Sequence, residues 1–132
     1  MSSVASRHSP TPFAERPLGA RILLAGVIPA ALGALAGILL GVSAVAYAAV
    51  GLLAAVGSFV AGFEHRTAWS GADRGFVAGL VYGIALLVAH GLAGTTATVS
   101  LGSFPPALAL VTALVSMFLT AAGATREPAR AD

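Results

Sequence analysis

The sequence predicts an all-α integral membrane protein, a four-helix bundle with both termini on the cytoplasmic side. Three observations carry this. Hydrophobic residues make up 58% of the 132 positions and charged residues 9%, where a soluble domain averages about 45–50% and about 25%. Four apolar runs each extend for about 20 residues, the length that crosses about 30 Å of hydrocarbon at about 1.5 Å per residue. All seven basic residues are Arg, and they fall in three clusters that four crossings place on one side of the membrane.

The elements follow in order. Residues 1–19, "MSSVASRHSPTPFAERPLG", are rich in Ser, Pro and Arg and read as a disordered cytoplasmic arm. The first span is expected over 20–41, with Pro29 kinking it or freeing a carbonyl for a neighbour. Its apolar run exceeds the roughly 7–15 residues of a signal-peptide core, so a retained span is expected. Cleavage at Ala44-Val45-Ala46 is the alternative. A tight turn at Gly41-Val42-Ser43 leads to the second span, 43–63. The third is expected over 73–92, with Asp73 capping it and matching the positive end of its dipole. The fourth is expected over 105–124, capped by Ser103, with Pro105 and Pro106 in its first turn. Residues 125–132 form a cytoplasmic tail.

Between Ile22 and Thr125 the only formal charges are Glu64, Arg66, Asp73 and Arg74, all within "FEHRTAWSGADRG". This stretch joins spans two and three, on the side that also holds Arg7, Arg16, Arg21, Arg126 and Arg130. The opposite side, with the turn at Ser43 and the loop 94–104, has no charge. Basic residues are retained in the cytoplasm, so this side is expected to be inside a bacterial plasma membrane. Trp69 suits the headgroup level there. Glu64, His65, Arg66, Asp73 and Arg74 are a candidate polar cluster, either a solvated turn with local ion pairs or a site for a phosphate or a partner.

Gly33, Gly37 and Gly41 recur every fourth residue in span one, and Gly71, Gly75, Gly79 and Gly83 do so in span three. Residues four apart share a helix face, and a face of glycine lets another backbone approach. Ala54, Ser58 and Gly62 repeat the spacing in span two. These glycines are candidate helix-packing positions, with packing inside the chain expected and a homo-oligomer the alternative. "GALAGILLG" at 33–41 and "GFVAGLVYG" at 75–83 look alike, but lie at different depths. They share packing chemistry rather than marking a transporter repeat.

Little else in the sequence carries chemistry. There is no cysteine, no carboxylate within a span and no His–Glu spacing of a metal site, so no catalytic residue, metal or cofactor is expected. His90 and Tyr47, at similar depth near the outer end, are the candidate intramembrane polar site. The loop 94–104 carries five hydroxyls and reads as a surface loop, with a partly re-entrant segment the alternative. Three separate Arg clusters make no continuous basic stripe, so nucleic acid is not an expected partner.

"VGSFVAGF" at 56–63, the polar turn with its basic residues, and "GFVAGLVYG" with Tyr82 together resemble a family of small four-span bacterial membrane proteins without an assigned function. The resemblance covers about 30 residues and implies an architecture, with no activity attached. Small multidrug transporters depend on a carboxylate in the first span, which is missing here. Fluoride channels rely on polar residues in the spans, and the one-sided arginines argue against the dual orientation both classes can use. The expected function is a non-catalytic membrane scaffold or complex subunit, with an oligomeric channel or small-solute transporter as the alternative. The expected partners are the lipid bilayer and a second copy or another membrane protein.

Overall fold

Long runs rich in Ala, Leu, Val and Gly form helices here, a structure in which each segment satisfies its own backbone amides. The computed structural model describes residues 17–100 and 105–125. The expected arm up to residue 16, the Ser103 cap and the tail beyond residue 125 lie outside the described residues. Four helices are long and apolar enough to cross a membrane: α1 (Leu18–Leu40), α2 (Ala44–Gly62), α3 (Ala68–Ala93) and α4 (Ala107–Thr125). Among the described residues there is no strand.

Helix α1 starts at Leu18, two residues before the expected span, with Pro17 at its N-cap in a non-helical conformation, φ −53° and ψ 149°. Its middle is widened. Residues Leu23–Val27 form a π-helical turn, in which the Ile28 N–H bonds the Leu23 carbonyl five residues back. Pro29 follows directly and has no N–H to continue the ordinary ladder, so the expected disturbance takes the form of a wide turn.

The turn after Leu40 leads into α2, where the Ser43 hydroxyl accepts the Ala46 N–H at 3.3 Å. The third helix departs from expectation. It starts at Ala68, capped by Thr67, whose hydroxyl accepts the Ser70 N–H at 3.1 Å. Asp73 is therefore not the cap but an exposed residue in the second turn. Residues 68–72 contain no proline, so nothing stops the helix from running back to the first good cap. At 26 residues α3 is about 39 Å long, more than the about 30 Å of a hydrocarbon core. Gly94, at φ 66°, ends it by donating its N–H to the His90 carbonyl at 3.3 Å.

The packing order differs from the chain order. Helix α3 packs most extensively on α4 and next on α1; α4 then packs on α2, and α2 closes loosely on α1. The consecutive helices α2 and α3 barely touch across the bundle. The glycines explain the close pairs. A Cβ at Gly75 would run into the Ser116 carbonyl, and one at Gly79 into the Thr112 carbonyl. Gly33 and Gly37 of α1 lie in the same way on the carbonyls of Tyr82 and Leu86. Where α2 meets α4, Gly62 and Gly123 allow a third close approach. Such contacts supply the van der Waals attraction that holds helices together in lipid. A small core of Ala36, Leu40 and Leu86 is fully buried between α1 and α3, toward the hairpin end.

Candidate functional site

Because α2 packs loosely on α1 and barely touches α3, the bundle leaves a half-open chamber of about 460 Å³ lined from all four helices. Its walls are largely Ala, Gly, Leu and Val. Near the hairpin end stand Tyr47 of α2 and Tyr82 of α3, both packed on the Ala36–Leu40–Leu86 core. At the charged end stand Glu64 and Arg74.

Hydroxyls line the middle, and each is committed to a neighbour. The Ser58 hydroxyl bonds the Ala54 carbonyl at 3.0 Å and pairs with the Ser116 hydroxyl at 3.0 Å, joining α2 to α4. The Thr112 hydroxyl reaches the Gly79 carbonyl at 2.9 Å, joining α4 to α3. Thr120 donates to the Ser116 carbonyl at 2.8 Å. These bonds satisfy groups that could not remain unpaired in an apolar interior.

The charged end brings together part of the expected cluster. Arg74 donates to the Ala61 carbonyl at 3.1 Å and meets the Glu64 carboxylate at 3.5 Å. The Arg74 side chain is 8% exposed and that of Glu64 19%, so the pair is drawn inside the bundle. His65 is half-buried beside them. Burial first, and the Arg74 charge second, lower its pKa, with Glu64 opposing. Arg66 and Asp73 are exposed and lie outside this inward group.

The outer candidates separate. Tyr47 lines the chamber, whereas His90 does not. His90 lies in the last turn of α3, with Nδ1 buried and lacking a hydrogen-bond partner among the described residues. The loop that follows runs over the surface, residues 98–100 exposed. Thr98 pins it by donating both its N–H and its hydroxyl to the Leu40 carbonyl, at 2.8 and 2.7 Å. That carbonyl is one of those a helix end leaves without an intrahelical donor.

The sequence pointed to the hydroxyls and to the charges one by one. The inward turn of Arg74 and the pairing of Tyr47 with Tyr82 around a chamber were missed. Arg74 shares a helix face with Ala78, four residues on, and this was the available signal. Among the described residues, no group of three or more His, Asp or Glu is placed to hold a metal. Chemically, the arrangement can accommodate an elongated apolar body with a polar end. No protein-family model matches the chain, and no curated protein or solved structure matches it.

Proposed function

We propose that this is a non-catalytic integral protein of a bacterial plasma membrane, acting as a scaffold or as a subunit of a larger membrane complex, with both termini in the cytoplasm. The observation that carries this reading is how the bundle uses its own recognition chemistry. The glycine faces of α1 and α3 are closed by backbone of the same chain. The serine and threonine hydroxyls of the chamber are spent on carbonyls and on each other. What remains for a partner is α2, in which Gly62 alone is buried and Val45, Leu52 and Val56 stand outward. A second copy or another membrane protein fits this face. The one-sided arginines support the orientation, and the central resemblance supports the bacterial setting.

Purification from native membranes in mild detergent tests the reading. The chain is expected as a defined oligomer or with a stoichiometric protein companion; a lone monomer overturns it. Cysteines introduced singly at Ser43 and Ser70 test orientation. Ser43→Cys is expected to react with an impermeant reagent from outside and Ser70→Cys to be protected; the reverse pattern overturns the orientation.

The chamber favours a second reading, an oligomeric channel or small-solute transporter. Reconstituted vesicles decide between the two. The scaffold reading expects no flux above empty vesicles, whereas the transport reading expects flux that Gly79→Leu or His90→Ala weakens.

A further inference from the structure

The chamber has the properties of a binding site rather than a packing defect. Its volume of about 460 Å³ falls within the roughly 300–1,000 Å³ of small-molecule sites. It is elongated. On α3 it runs from Arg74 to Tyr82, about 12 Å, and on α2 from Tyr47 to Ala61, about 21 Å. Half of a hydrocarbon core is about 15 Å, so the chamber reaches from the charged turn through one leaflet and, along α2, past the midplane.

It also has a side entrance. The π-helical turn of α1 packs on α3, while α1 and α2 are the loosest of the neighbouring pairs. Leu24, Ile28 and Pro29 therefore form one wall of the chamber without being sealed against α2. An apolar chain from the bilayer would enter on this side.

The polar end has both signs of charge. Arg74 and Glu64 lie 3.5 Å apart, long for a charge-assisted hydrogen bond of about 2.7–2.9 Å. Gly62 ends α2 two residues before Glu64, and Arg74 is the seventh residue of the over-long α3. The pair thus lies where hydrocarbon gives way to headgroups. A phosphate fits the guanidinium, and an ammonium fits the carboxylate. A purely anionic headgroup would meet repulsion from Glu64.

We propose that the chamber holds one acyl chain of a zwitterionic phospholipid, with the phosphate at Arg74 and the ammonium at Glu64. This rests on the reading of the four helices as membrane spans. Gly51 and Gly57 line the chamber, and a Cβ at either would meet nothing within 4 Å, so larger residues can be placed at its wall without disturbing a helix contact. Gly91 is equally open but lies outside the chamber.

The test is native mass spectrometry of the full chain, released from bilayers of equal phosphatidylethanolamine and phosphatidylglycerol. One phosphatidylethanolamine per chain is expected, several-fold enriched over phosphatidylglycerol. Gly51→Leu with Gly57→Leu should remove the adduct, and Gly91→Leu should keep it. Glu64→Gln should shift the preference toward phosphatidylglycerol. Should Glu64→Gln fail to fold, the headgroup ratio of the native chain and the glycine variants still decide. No adduct, an adduct unaffected by the two leucines, or equal or reversed headgroup preference overturns the proposal. A chain that does not enter the bilayers at all would instead overturn the membrane reading.

Discussion

At the crossing of α3 and α4, one missing methyl group sets the distance between two backbones. Gly79 lets the Thr112 carbonyl come close, and the Thr112 hydroxyl then reaches the Gly79 carbonyl at 2.9 Å. Gly79→Leu is expected to lower stability by about 1–3 kcal/mol, the usual cost of overpacking. Thr112→Val should cost about 0.6 kcal/mol, the mean for hydrogen bonds between membrane helices. Thermal unfolding in detergent measures both, with Gly91→Leu close to neutral as the comparison. The charged turn offers a pH-dependent residue. An unfolded imidazole titrates near 6.5, and burial with the Arg74 charge lowers this value for His65 in the folded turn. The unfolded turn therefore binds more protons in that window, so stability rises with pH. The turn's order should be complete above the ordinary imidazole range and decline as pH falls through about 6.5 toward the lowered folded value. Amide exchange over residues 63–67 measures this, and His65→Gln should flatten the profile.

Element boundaries follow from caps and breakers more than from hydropathy. The apolar run of α3 begins near Phe76, yet the helix starts at Ala68 because Thr67 supplies the first cap. Thr67→Ala is expected to cost about 0.5–2 kcal/mol and to fray the first turn. Asp73→Asn should leave the helix start unchanged, and amide exchange at Trp69 to Gly71 distinguishes them. In α1, Pro29→Ala restores the N–H that the Ala25 carbonyl would ordinarily receive. The π-helical turn at Leu23–Val27 should then narrow, with slower exchange at residue 29 and a narrower side entrance to the chamber. The spans themselves were legible because twenty apolar residues have few alternatives in lipid. The extra turns of α3 were not, since Trp69, Ser70 and Gly71 suit either a loop or a helix end.

For the whole molecule, the packing order controls what the protein can hold. Chain order alone would set α2 beside α3, but glycine faces pair α3 with α1 and α4 instead. Helix α2 is left with its closest contacts on α4, from Ser58 to Gly62, and the chamber opens along its length toward α1 and α3. The glycine spacing showed which faces come close and not which face meets which. The same spacing occurs on α1 and α3, and both meet their partners through backbone carbonyls. The candidate site divides similarly. Glu64 and Arg74 were visible as charges in one turn, but ten residues of separation do not fix whether an arginine points to water or inward.

The sequence by itself determined four helices long and apolar enough to cross a membrane. That depends on a local quantity, the transfer of apolar side chains out of water. Only the tertiary structure decided that Arg74 and Glu64 meet at the mouth of a chamber ending at Tyr47 and Tyr82. That outcome depends on which helix lies beside which, and close contacts far apart in sequence, such as Gly79 on Thr112 and Gly62 on Gly123, select it.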